Sequence, residues 1–365
     1  MMDRTFPFGF PGATAFYLTI YVLTLVIHVL FMNYVLAGTG YLLFCRWRDG
    51  SGSIADRGLR AGDVLRDWMP FALSGAITAG VAPLLFVQIL YKENFYTANL
   101  LLYHRWMVIL PVLIIGFYML YLLKTQWIER RSALTRGVVT LGALFCFAFT
   151  GLSWTENHLL STDTASWPGL YESGSMVYYH RELLPRLGMW AVGSIPTMAL
   201  LVAWQLYVLQ RSGQEPNELE PRRLALLAVV GIALSVGCAG LYGYQMTSEV
   251  RSHVTGVLAG PFLLAGVVGL VIQIVAWLDQ GKKTRFCPRA LAAGSAGLLL
   301  TIIGMTTVRE AIRLASIDVT PLYVRHAESA EKGGLYVFLA FFGINAVLVA
   351  WAIRLTRSRV VHSAD

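Results

Sequence analysis

The chain has 365 residues, of which 56% are hydrophobic and only 14% charged; its mean hydropathy is +0.59 and its formal net charge +8. A soluble domain carries roughly 25% charged residues, and here the charges lie in short clusters between long apolar runs, which excludes a fold built in water and indicates a polytopic membrane protein. The positive balance does not indicate nucleic acid as a partner, because Lys and Arg are spread over short loops instead of one face.

The N-terminus, MMDRTFPFGFPG, has no basic n-region and leads into an apolar stretch longer than a signal-peptide core, so no cleaved signal peptide is expected. The first spanning segment, 14–44, carries His28 between long apolar runs, with Asn33 further along. Segments 68–91 and 105–124 follow, separated by a loop with Lys92 and Glu93; His104 and Arg105 open the third span. The fourth span, 135–154, runs into a long connection that begins TENHLL and contains Glu156, Asn157 and His158. Trp167, Tyr171, Tyr178 and Tyr179 in that connection suit an interfacial aromatic belt capping a site beneath it. His180 and Arg181 introduce the fifth span, 184–209, which contains Arg186 and Met189. The sixth, 224–246, ends at Met246; the seventh, 254–278, begins just after Arg251 and His253. The eighth, 290–308, runs into TTVREAIRL and is expected to continue as helix beyond the bilayer, and the ninth is 335–356. Pro83, Pro111, Pro196 and Pro261 are tolerated where neighbouring helices satisfy the freed carbonyls. The expected fold is therefore all-α, a single membrane domain over 1–365 with about nine transmembrane helices.

Alternate connections divide the basic residues unequally, 19 against 10, and the positive-inside tendency places the N-terminus outside and the C-terminus in the cytoplasm. On that topology His104, His158, His180, His253 and His326 fall at or near outer helix ends, His28 lies at mid-membrane, and only His362 is cytoplasmic. The loop between spans eight and nine, with Arg309, Arg313, Arg325 and Lys332, is basic although outer, which marks it for partner docking through complementary charge.

An ionisable side chain within a span is costly and marks a functional site. A neutral imidazole suits iron, and a haem fits between the helices of a bundle, so His28, His180, His104 and His253 are candidate haem ligands. The alternative for His28 is a hydrogen bond to a carbonyl or to Asn33. Arg105, Arg181 and Arg186 have the chemistry to hold haem propionates. Methionine is the other axial possibility, and Met246 and Met189 sit near the same face. Glu156, Glu93, Lys92, Asn157 and Glu249 at the outer rim are candidates for a quinol site, with Glu156 and Glu93 as the proton acceptors. The amides Asn33, Gln88, Gln273 and Asn345 read as interhelical hydrogen-bonding groups. Four widely spaced cysteines, with no C-x-x-C or C-x-x-C-H, imply free thiols and no covalently attached haem.

Three stretches resemble a known family. HVLFMNYVLAGTGYLL is similar to the first helix of subunit I of cytochrome bd-type quinol oxidases, AGVAPLLFVQILYKENFYTANLL to its second helix, and YYHRELLPRLGMWAVGS to the opening of its fifth. The resemblance covers about the first 200 residues and implies His28 and His180 as haem ligands. The family's Gly-Arg-Gln-Pro-Trp motif, its long quinol loop and the groups serving its oxygen-reducing haem have no counterpart, so oxygen reduction is not implied.

The sequence thus leads to a membrane subunit of a respiratory electron-transfer complex, not a complete enzyme. It would carry one or two haems b and pass electrons between the quinone pool and an outer partner, either a c-type cytochrome or an iron–sulfur protein, in a prokaryotic cytoplasmic membrane. Two alternatives stand beside it: a haem-free quinone-binding anchor of polysulfide-reductase type, and a small-solute or ion transporter with His28 and the mid-membrane amides lining its path.

Overall fold

The computed structural model describes residues 9–49, 58–175 and 177–332, together with 336–337, 339–344, 347–348, 351 and 354. The described chain is helical and without strands. The helices are α1 (Gly12–Asp49), α2 (Ala61–Leu90), α3 (Lys92–Leu101), α4 (Tyr103–Leu123), α5 (Gln126–Glu129), α6 (Ala133–Leu160) and α7 (Trp167–Ser173), then α8 (Leu183–Arg211), α9 (Glu220–Gln245), α10 (Ser248–Thr255), α11 (Gly260–Gln280), α12 (Pro288–Ser316) and α13 (Tyr323–Glu331). Among the described residues eight of these are long and apolar enough to cross a membrane: α1 over Gly12–Phe44, α2, α4, α6, α8, α9, α11 and α12. The ninth expected span, 335–356, lies largely outside the described residues, and those described within it are helical.

The spans pair as antiparallel hairpins, seated by glycines that let a neighbour's side chain approach the backbone. Gly75 lies under Phe31 and Gly80 under His28 between α1 and α2. Gly116 faces Phe147 between α4 and α6, and Gly188 faces Cys238 between α8 and α9. In α11 and α12 the approach is closest: Gly269 and Gly297 lie backbone to backbone, as small residues permit in membranes. Two of the four amides bridge helices, Asn33 donating to Thr197 at 3.1 Å and Gln273 to Thr301 at 2.9 Å; no interhelical bond is seen for Gln88 among the described residues, and Asn345 lies outside them.

Outward surfaces are apolar: Leu110 on α4, Phe145 on α6 and Val275 on α11 are each more than 60% exposed, the surface of a protein that contacts lipid. Two compact units are distinguishable, one being Thr19–Asp318 and the other the two chain ends. Within the second, Thr14 is hydrogen-bonded to Nδ1 of buried His326 at 2.8 Å, and Tyr17 packs edge-on to that ring.

Two helix ends differ from the hydropathy reading, and a third extends as that reading expected. α6 continues to Leu160, so Glu156, Asn157 and His158 are helical and buried instead of forming a loop. α11 starts at Gly260, with Pro261 in its first turn, and His253 rides on the separate α10, capped by Thr247. α12 runs on to Ser316, as its sequence suggested, and so takes Arg309 and Arg313 out of the connecting loop.

Candidate functional site

The unusual chemistry lies at the end of the bundle where α2, α6, α9 and α12 finish and α4 and α8 begin. Arg309, Glu310 and Arg313 occupy successive turns of α12, and Glu310 and Arg313 are only 2% and 5% exposed. Tyr91, in the α2–α3 junction, donates its hydroxyl hydrogen to Oε1 of Glu310, and Arg313 donates to the same oxygen at 3.4 Å while lying over the Tyr91 ring. Burial and the adjacent Glu310 charge hold the Tyr91 phenol well above its ordinary pKa, so it remains a donor. On the other side Arg313 and Arg309 both donate to Nδ1 of His158. Arg309 also reaches the hydroxyl of Tyr21 on α1, at 3.1 Å. Arg186 of α8, 9% exposed, lies over the ring of Tyr242 of α9, 5.2 Å from its centroid. Arg105 and Glu156, 21% and 4% exposed at their side chains, form an ion pair of their own beside this group.

Several buried polar atoms in this region meet no hydrogen-bond partner among the described residues: Tyr242 OH, Trp190 Nε1, Gln245 Oε1, Glu310 Oε2 and Arg313 Nε. Such atoms are few in native interiors and call for an explanation by water, ion or ligand.

His28 lies two turns deeper on α1 than Tyr21. Its Nδ1 sits 2.9 Å from the carbonyl oxygen of Ala76 on α2, and its ring fills the space beside Gly80. A carbonyl only accepts, so Nδ1 carries the hydrogen and Nε2 keeps its lone pair, the arrangement of a metal-ligating imidazole. The other histidines differ. His180 lies before α8, stacks on Tyr178, and its Nδ1 accepts the Glu182 amide at 3.3 Å, which leaves the hydrogen of the neutral ring on Nε2. His158 is committed the same way by its arginine donors. His253 donates from Nδ1 to the Glu249 carbonyl at 2.9 Å and is exposed on α10; His104 is exposed against Tyr103.

The expected site residues are therefore only partly brought together. Arg105, Glu156 and Arg186 share one end of the bundle with His158, Arg309 and Arg313. Arg181 and Glu93 are exposed, and Met246 caps α9 while packing on Tyr242 and Val254. Among the described residues no group of three or more His, Cys, Asp or Glu side chains gathers as a metal site. The docking role read into Arg313 does not survive its burial, since a side chain engaged with Glu310 and His158 presents no charge to a partner. Tyr91, Glu310 and Tyr242 were missed, each lying in or beside an apolar run; the i, i+1, i+4 spacing of Arg309, Glu310 and Arg313 was the available signal.

Fold and site define a multi-pass membrane protein with an all-α helix bundle and a buried, arginine-rich polar cluster at one end. Comparison of the chain with family models, with curated proteins and with solved structures finds no match.

Proposed function

We propose that the chain is the haem b-carrying membrane subunit of a respiratory electron-transfer complex, in which His28 would hold the iron. The observation that carries this reading is His28 itself: an imidazole inside a span, with Nδ1 committed to the Ala76 carbonyl and Nε2 left as a lone-pair donor, against a glycine that clears the space beside it. His158, likewise inside a span, has its Nδ1 taken by arginine donors. This reading puts His28 ahead of His180, His104 and His253.

A haem b supplies reversible one-electron transfer at the iron. The Ala76 hydrogen bond would fix the plane of the His28 imidazole for such a group, and the arginines toward the end of the bundle would suit its propionates. The same end, which the basic-residue count puts outside, holds Glu310 and Tyr91 as buried groups suited to passing quinol protons outward. Glu156, paired with Arg105, and Glu310, paired with Arg313, are the buried carboxylates at this end and the two candidate quinol proton acceptors, whereas Glu93 faces outward. Electrons would run between the quinone pool of a prokaryotic cytoplasmic membrane and an outer-side c-type cytochrome or iron–sulfur protein.

The test is the redox difference spectrum of the purified protein. A b-type band is expected in the parent chain, absent in His28→Ala and retained in His253→Ala. A colourless parent that binds quinone would replace this reading with the haem-free anchor, and one that binds neither would replace it with transport.

A further inference from the structure

Arg186, Arg309 and Arg313 bring three guanidinium charges into one end of the bundle, and the buried carboxylate among them is Glu310 alone. Glu182, one turn from Arg186 and half-exposed, acts on it only from beyond ion-pair distance, and Glu156 is taken by Arg105. Among the described residues, buried Arg186 and half-buried Arg309 are thus left without a counter-ion at ion-pair distance. Desolvating a charge without pairing it is among the most unfavourable things a fold can do.

Hydrogen-bond directions give the same imbalance. Arg313 and Arg309 both aim at a single lone pair, that of His158 Nδ1, as donors do when a better acceptor is missing. The Arg186 guanidinium makes no hydrogen bond to the described protein; its close contact is the Tyr242 ring, whose hydroxyl is itself buried without a partner. Donors in excess of acceptors, on planar forks that match a two-oxygen face, are the chemistry of an oxoanion site.

We infer that Arg186, Arg309 and Tyr242, with Arg313 behind them, form a binding site for a doubly charged oxoanionic ligand, one bearing carboxylate, phosphate or sulfate oxygens. The inference is independent of His28. Two sources share the chemistry: the paired propionates of a bound haem, or a free dianion arriving from the aqueous side.

Thermal unfolding in detergent, with sulfate or inorganic phosphate titrated against chloride at constant ionic strength, separates these. It is run on the purified parent chain and on His28→Ala, beside Arg186→Gln and Arg186→Lys. If the ligand is free, sulfate or phosphate stabilises the parent saturably; Arg186→Gln abolishes the response, and Arg186→Lys weakens the midpoint concentration roughly tenfold through loss of the bidentate fork. If haem propionates fill the site, the haem-loaded parent ignores added anion, haem-free His28→Ala responds, and Arg186→Gln loses haem on dilution faster than the parent. The inference is overturned if neither the parent nor His28→Ala responds to either anion while Arg186→Gln and Arg309→Gln, monodisperse and helical, match the parent in stability and haem content. A missing b-type band with an intact anion response would sink the haem reading and leave the anion site standing.

Discussion

The two ends of this bundle treat charge in opposite ways. At the end holding His158, charged groups are buried and share partners: Arg313 serves both Glu310 and His158, and Tyr91 and Arg313 converge on one carboxylate oxygen. At the other end the ion pairs are isolated and wet. Arg66 and Glu129 lie 2.6 Å apart at 32% and 41% exposure, Lys283 and Asp279 2.5 Å apart at 37% and 54%, and Arg285 and Glu215 3.0 Å apart at 70% and 59%. Exposed pairs stabilise little, whereas removing one member of a buried pair leaves an unmatched charge in low dielectric. The wet end reads as scaffold and topology signal. The buried end carries a cost that packing alone does not explain, so chemistry is sought there.

The sharpest way to break this contrast is Arg313→Met, which leaves Glu310 buried without its cation. A loss of about 3–5 kcal/mol is expected, read as a large drop in the detergent unfolding temperature. The contrast fails if Arg313→Met costs no more than Glu129→Gln at the wet end, for which less than about 1 kcal/mol is expected. Between them stands Glu220, the exception at the wet end. It is 1% exposed, accepts from the Ala61 amide at 3.1 Å at the start of α2, and is paired with Arg223 at 3.1 Å. Glu220→Ala should cost about 1–3 kcal/mol through the orphaned amide and lost pair. A cost below that of Glu129→Gln would show that burial does not set the ranking.

A smaller, local effect is expected at Gly80. An added methyl would sit 3.0 Å from the His28 ring, tight enough to move it but not to unfold the hairpin. Gly80→Ala should therefore leave the unfolding free energy within about 1–2 kcal/mol of the parent while perturbing the b-type absorption band. An unchanged spectrum in a variant that still carries haem would count against His28 as ligand.

What the sequence made legible follows from what hydropathy measures. Eight spans could be placed because lipid-facing residues such as Leu110 and Phe145 need no partner to be understood. The continuation of α6 through Glu156, Asn157 and His158 could not, because these residues look like loop until their partners are known: Arg105 for Glu156, Asn99 for Asn157 at 2.6 Å, and the α12 arginines for His158. The same holds for Arg309 and Arg313, whose charge read as an outer docking surface and whose helix turns it inward. Arg186 was singled out as a propionate holder, but its fellow cations Arg309 and Arg313 lie more than 120 residues later, a separation that one sequence read alone cannot bridge.

Topology itself rests on counting charges, and Cys287 offers an independent check with a chemical signature. It is the residue before α12, at the wet end, and hydrogen bonding from the Ala290 amide holds its thiol below the ordinary value, helped by Lys283 nearby. A lowered pKa means more thiolate at neutral pH, so Cys287 should react with a maleimide faster than an ordinary thiol, with its advantage shrinking as pH rises and every thiol ionises. Cys146, buried in α6, should stay slow throughout. In a chain whose other three cysteines are replaced by serine, a membrane-impermeant maleimide should spare Cys287 in intact cells and modify it once the membrane is opened. Labelling in intact cells would invert the bundle, putting Arg186, Arg309 and Arg313 on the cytoplasmic side and requiring any oxoanion to reach them from there.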